Sequence, residues 1–304
     1  MEKIAYVFAG QGSQFVGMGA DFSKDPLFQQ LSAHWQVPVR ELFAETPYWE
    51  QHPMALPSML ATISLVIAAH VETILAPDIV AGLSLGEYSA LTYAKAMDPK
   101  VMWTILDQRT RWMTDLGNQN PTALLVVLGL TRDQVETSIA AFHNVYIANH
   151  NAPEQIVIGG TLADIEHVKE SLMLAGARRC IPLPVVAASH TPFMQPMVES
   201  MRHLFERSAT TSPEIPVVSN VTALPHEPQT WKQTLSHQLS TTVEWVRSVE
   251  WMVQQGVTTF IEIGPGTVLS GLIQKIQPQV KTYSVNSMDD LSFIQDIKDK
   301  GGFQ

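Results

Sequence analysis

The sequence predicts an α/β protein: an α/β-hydrolase-like large domain on a mostly parallel sheet, with a smaller ferredoxin-like subdomain inserted into it. Three observations predict this. The apolar run Ile79-Val80-Ala81 enters Gly82-Leu83-Ser84-Leu85-Gly86 and then a helical stretch, Glu87 to Met97; strand, sharp turn and helix around a serine make a nucleophile elbow. Between residues 121 and 190 the elements follow as strand-helix-strand-strand-helix-strand, the split βαβ plan. Longer alternating elements then resume, ending in the strand Thr259 to Ile263 and the turn Gly264-Pro265-Gly266. The expected domains are therefore 1–120 with 191–304, and 121–190.

Ile4 to Ala9 is an apolar strand running into the loop Gly10-Gln11-Gly12-Ser13-Gln14, and polar, helix-rich sequence follows to about residue 53. Met54 to Val71 carries no formal charge, but Pro57, Thr62, Ser64 and His70 interrupt it and it is marginal in length for a bilayer. It reads as a buried helix feeding the elbow strand. Asp98-Pro99 pairs an N-cap residue with proline at the first helical position, starting a helix to about Leu116. In the small subdomain Ala123 to Leu128, Val145 to Ala148, Gln155 to Ile158 and Cys180 to Val186 read as strands. Arg132 to Phe142 and Leu162 to Ala175 read as helices. The chain end, with Gly301-Gly302, is expected to fray.

Bulk properties exclude several classes. With 45% hydrophobic and 16% charged residues over 304 positions, the chain has apolar material for a full core and does not read as disordered. A formal net charge of −10 argues against nonspecific nucleic-acid binding. The single cysteine, Cys180, excludes an internal disulfide framework and reads as a buried structural thiol. The N-terminus enters a strand without the features of a signal peptide, so a cytoplasmic protein without a membrane span is expected.

Ser84 requires a base, because a hydroxyl attacks only as its proton is removed. Among ten histidines, His190 differs in ending the apolar stretch Pro184-Val185-Val186-Ala187-Ala188-Ser189; it is either a satisfied buried histidine or that base. Nothing marks an acid between Ser84 and His190 as a third triad member, and a backbone or amide carbonyl could orient the ring instead. The Gly10-Gln11-Gly12 loop lacks the third glycine of a dinucleotide fingerprint, where Phe15 stands, and lacks a P-loop lysine. Its place after the first strand brings Gln11 to the same sheet rim as Ser84, where an amide could donate to an oxyanion. On the helix from Pro99, Arg109 occupies the missing step of the stripe Met102, Ile105, Leu106, Trp112, Met113 and Leu116. An inward guanidinium must be paired, with an internal carboxylate or with a substrate carboxylate. Arg111 points the opposite way.

These residues carry a resemblance. Phe-Ala-Gly-Gln-Gly-Ser-Gln at 8–14, Gly-Leu-Ser-Leu-Gly-Glu-Tyr at 82–88 and Arg-Thr-Arg-Trp-Met at 109–113 stand in one order with Asn-His-Asn-Ala-Pro-Glu-Gln at 149–155, Ser-His at 189–190 and Glu-Ile-Gly-Pro-Gly at 262–266. Together they resemble the malonyl-CoA:acyl-carrier-protein transacylases of bacterial fatty-acid synthesis. The resemblance implies Ser84 as the acylated nucleophile and His190 as general base and acid. It implies Gln11 and the Leu85 N–H as the oxyanion hole, and the carbonyl of Gln238 orienting the histidine. Arg109 would hold the malonyl carboxylate, with Met113, Asn149, Asn151 and Gln155 lining the substrate site. It implies malonyl-CoA as substrate, acyl carrier protein as partner and no bound cofactor.

Three positions bear on the match to the family pattern. Leu83 stands where histidine is usual, Leu56-Pro57 replaces Gln-Pro, and Ser189 precedes the histidine, as is normal in the stand-alone enzymes. The same chemistry would serve a trans-acting polyketide acyltransferase; a serine thioesterase or esterase, and a carrier-binding module without turnover, are the competing readings. Since carrier proteins are acidic, a local basic patch is required, and Arg178-Arg179 with Lys169 is the candidate. No apolar surface stripe is left unassigned, so a monomer is expected.

Overall fold

The computed structural model describes residues 2–35, 39–43 and 46–303. Its strands are β1 (Lys3–Phe8), β2 (Ile79–Gly82), β3 (Thr122–Leu128), β4 (Val145–Ala152), β5 (Gln155–Thr161), β6 (Arg179–Leu183), β7 (Val217–Val218), β8 (Val257–Ile263) and β9 (Lys281–Val285). A five-stranded sheet has the order β7-β2-β1-β8-β9, and a four-stranded sheet the order β4-β5-β3-β6. Each sheet lies in its own compact unit. The first comprises Met1–Asp107, Ala209–Val218 and Trp251–Gln304, the second Gln108–Ser208 and Ser219–Glu250.

The second unit is thus wider than 121–190. An apolar cluster of Ala187, Met194, Met197 and Leu239, with Trp112, Met113, Leu116 and Phe193 against it, draws the flanking segments in.

Every pair in the first sheet is parallel. Its central strands β1, β2 and β8 are almost wholly buried, as continuous apolar runs must be when both faces are covered. The helix Leu56–Ile74 meets the length and composition needed to cross a bilayer, yet most of it is interior. Its polar residues are consumed locally: Trp103 Nε1 donates to Thr62 Oγ1 at 3.0 Å, and Thr62 Oγ1 donates to the Ser58 carbonyl at 2.8 Å. His70 pairs at 2.8 Å with Asp25, which also caps the helix Pro26–Ser32.

The motif at 262–266 has a structural explanation. The Glu262 carboxylate, fully buried, accepts the N–H groups of Leu269 at 2.9 Å and Ser270 at 2.7 Å, capping the helix Val268–Ile276. Burial pushes its pKa up against those bonds.

In the second unit all neighbouring strands are antiparallel, and the order gives the expected ferredoxin-like sheet. Leu125, Val127, Ile156 and Ile158 on one face pack with Val135 and Ile139 of the helix Arg132–Ile139 and with Ile165, Val168 and Leu172 of the helix Leu162–Leu174. Thr131 and Gln134 form a capping box at the first of these helices. The opposite face carries Leu124, Ala148 and Val157 against Ala188.

Several expected boundaries are corrected. The elbow helix is Leu85–Tyr93, ending short of Met97 because Lys95 takes a left-handed φ of 62°. The Pro99 helix runs on to Gln119. The helix from Arg132 stops at Ile139, and β4 extends to Ala152 because the hairpin pairs Ala152 with Gln155. Strand β6 starts at Arg179 and ends at Leu183; as an edge strand it tolerates Pro182, and it leaves Cys180 half-buried instead of buried. Burial still pushes that thiol's pKa up, which suits a structural role. The chain end is tied down, with Gly302 N–H bonded to Ile297 and Gly302 O accepting from Lys281 Nζ at 3.1 Å.

Candidate active site

The serine of the elbow belongs to the first unit. β1 and β2 are paired with Phe8 opposite Gly82, so the Gly10 loop and the elbow leave the carboxyl ends of neighbouring parallel strands. Ser84 takes φ 53° and ψ −102°, a conformation a non-glycine residue holds only where the surroundings impose it. Close packing imposes it here. A Cβ on Gly86 would come within 2.1 Å of the Phe8 carbonyl oxygen, and one on Gly10 within 2.5 Å of the Leu83 carbonyl oxygen.

Leu83 is half-buried, with its carbonyl accepting the Gly86 N–H at 3.0 Å. The backbone of residue 83, more than its side chain, shapes the elbow. Leu85 opens the following helix, where first-turn N–H groups lack intrahelical acceptors. Gln11 is exposed in a turn closed by Ser13, whose Oγ donates to the Gly10 carbonyl at 2.7 Å.

The second unit holds His190. The segment before it lies on the face of the small sheet opposite the helices Arg132–Ile139 and Leu162–Leu174: Ala188 N–H bonds Thr122 Oγ1 at 2.8 Å, and Thr191 Oγ1 bonds the Ala188 carbonyl at 2.6 Å. His190 itself is left-handed, with φ 63°, and 3% exposed. Its Nδ1 lies 2.9 Å from the Gln238 carbonyl oxygen. A carbonyl only accepts, so the proton sits on Nδ1 and Nε2 keeps its lone pair. Burial, then the positive charge of Arg109, push the His190 pKa down to about 4, opposed by the Gln238 carbonyl. The ring is therefore neutral at physiological pH.

Arg109 is 3% exposed whereas Arg111 is exposed, as the helical spacing requires. Met113, half-buried, packs against Ala187, Met194 and Leu239. Asn149 is buried on β4 at an irregularity in its pairing with β5, where it bridges to Val243. Asn151 and Gln155 are half-buried near the hairpin turn. Gln11, Ser84 and Leu85 thus fall in one unit, and Arg109, Met113, Asn149, Asn151, Gln155, His190 and Gln238 in the other.

A family profile described as an acyl transferase domain matches residues 5–290. The chain is 35% identical over 313 residues to the malonyl CoA-acyl carrier protein transacylase of Bacillus subtilis, with 99% of each covered. The chain belongs to the malonyl-CoA–acyl-carrier-protein transacylase family. This transacylase is also 34% identical to a polyketide biosynthesis malonyl CoA-acyl carrier protein transacylase of Bacillus subtilis, over 90% of the chain and 97% of that relative. Among solved structures it is similar to a malonyl-transacylase in complex with its type II polyketide-synthase acyl carrier protein. There the TM-score is 0.90 at 30% identity, with 97% of this chain and 99% of that chain covered.

One contact of the transacylase's histidine carries no sequence signal. The backbone N–H of His190 donates to the Leu239 carbonyl at 2.6 Å, so two consecutive carbonyls hold the residue. Any amino acid supplies a carbonyl, and only the path of the chain reveals which one does.

Proposed function

We infer that this enzyme transfers a malonyl group from malonyl-CoA to the phosphopantetheine thiol of acyl carrier protein, through an ester on Ser84. Ser84 Oγ attacks the thioester carbonyl as His190 Nε2 takes the hydroxyl proton. Gln11 and the Leu85 N–H stabilise the oxyanion, and collapse expels the coenzyme A sulfur, which receives the proton from His190. The carrier thiol then gives its proton to His190 and attacks the ester, regenerating Ser84. Arg109 grips the malonyl carboxylate, with Met113, Asn149, Asn151 and Gln155 around the acyl group.

The observation that carries this reading is the pairing, inside one unit, of a buried arginine with a buried neutral histidine whose Nδ1 meets a carbonyl. A hydrolase acting on simple esters has no use for that arginine. No cofactor is required, and a cytoplasmic monomer suffices. The polyketide relatives favour a second reading of the carrier: a polyketide acyl carrier protein in place of a fatty-acid one. Arg178, just before β6, and Arg179, its first residue, are both exposed, and Arg178 is engaged by Glu154 at 2.9 Å, so Arg179 is the stronger candidate for carrier contact.

Intact-protein mass spectrometry after brief incubation with malonyl-CoA tests the mechanism. A malonyl adduct that disappears in Ser84→Ala supports it, and the absence of an adduct on the unmodified enzyme overturns it.

A further inference from the structure

We propose that the Arg132–Glu244 ion pair is a positioning element for His190, acting through the segment Gln238–Glu244. The inference rests on the reading of His190 as the base. That segment supplies both carbonyls that hold the histidine: Gln238 to Nδ1 at 2.9 Å and Leu239 to the backbone N–H at 2.6 Å. A residue at φ 63° needs such external restraint to keep its ring in one place. The precision of the base therefore depends on what fixes residues 238–244.

The fastenings of that segment can be followed along its length. Thr242 Oγ1 donates to the Ile147 carbonyl at 2.7 Å. Val243 N–H donates to the Ala148 carbonyl and the Val243 carbonyl accepts from His150 N–H, both at 2.9 Å, so the segment adds a short parallel stretch to β4. At its end Arg132 Nη1 reaches both Glu244 carboxylate oxygens at 2.9 Å, and Arg132 Nε bonds Glu136 at 2.8 Å. Arg132 opens the helix Arg132–Ile139, so this contact ties the histidine-holding segment to the small sheet's first helix.

Gln238, Leu239 and Val243 are buried, whereas residues 240–242 between them border open space. A cavity of about 420 Å³ runs along the segment, lined by His190, Ser240, Thr241 and Thr242 and by Arg132 and Glu136 themselves. The Glu244 side chain is only 10% exposed, so the pair is more than a solvated surface contact, and removing Arg132 strands a largely desolvated carboxylate. Glu244 N–H also bonds Asn220, so a shift of Glu244 moves backbone as well as side chain.

The test uses Arg132→Met, the milder Glu244→Gln and the double variant R132M/E244M in the full-length enzyme. Arg132→Met is expected to lower kcat about ten- to a hundredfold, as small misplacements of reacting groups do, while KM for malonyl-CoA changes little. The double variant is expected to be no slower than Arg132→Met, because the two residues act as one unit. Nitrogen-15 NMR of histidine-labelled protein, with the His190 signal assigned by its loss in His190→Ala, reads the ring directly. The Nδ1–H tautomer of the unmodified enzyme is expected to become mixed in Arg132→Met, with Glu244→Gln intermediate. Unchanged kcat, or a loss matched by the unfolded fraction with the tautomer intact, overturns the proposal. Normal turnover by His190→Ala would instead overturn the reading of His190 as the base.

Discussion

With His190 read as the base, its own position keeps the ring uncharged. Its pKa of about 4 lets kcat/KM for malonyl-CoA, which reports the free enzyme, stay flat as pH falls through 6. A malonyl carboxylate on Arg109 cancels one of the two causes of that depression, so the acid limb of kcat should lie at higher pH than that of kcat/KM. Acetyl-CoA, with no carboxylate, should show no such gap; equal gaps for both substrates would separate Arg109 from the acyl group. Stability carries the same sign. An unfolded histidine takes its proton near 6.5 and the folded one only near 4, so between these values the unfolded chain binds more protons and stability falls as pH is lowered. The slope is at most about 1.4 kcal/mol per pH unit from this group, and calorimetry across that window measures it. Arg109→Ala should cost malonyl transfer about 2–5 kcal/mol in kcat/KM while sparing acetyl transfer; an equal loss for both would refute the clamp.

The elbow stores strain in one residue and spends glycines to hold it there. Ser84→Gly relieves the positive φ, whereas Ser84→Ala keeps it, so the glycine variant should melt above the alanine variant although both are inactive. A lower melting point for the glycine variant would mean the turn is not strained. Gly86→Ala drives a methyl into the Phe8 carbonyl and should destabilise by about 3 kcal/mol with loss of adduct formation. Elements of this kind were readable in advance because the elbow and the split βαβ unit have their own spacing signatures. Their ends were less so. The elbow helix stops at Tyr93 because of Lys95's backbone, and β4 reaches Ala152 because of its hairpin partner; neither cause is local composition.

At the scale of the molecule, a net charge of −10 opposes an acidic carrier, so docking must be local. Arg179→Glu should raise the apparent KM for carrier protein and make that KM less sensitive to salt than in the unmodified enzyme, with KM for malonyl-CoA unaltered. An unchanged carrier KM removes this arginine from the interface. Residues 108–120, 191–208 and 219–250 join the small sheet because Trp112, Met113 and Leu116 pack with Met194, Met197 and Leu239, partners far apart in sequence.

What the sequence determined by itself is the set of local devices: the elbow at Ser84, the inward place of Arg109 on its helix and the split βαβ order. Each follows from spacing, turn chemistry or composition within a few residues. Tertiary structure alone decided which carbonyls hold His190, that Arg132 and Glu244 brace them, and that Glu262 caps a helix. These depend on where distant backbone comes together, and a carbonyl or an ion pair 112 positions apart leaves no trace in local pattern. At Leu83 the elbow uses the carbonyl, which any side chain leaves in place.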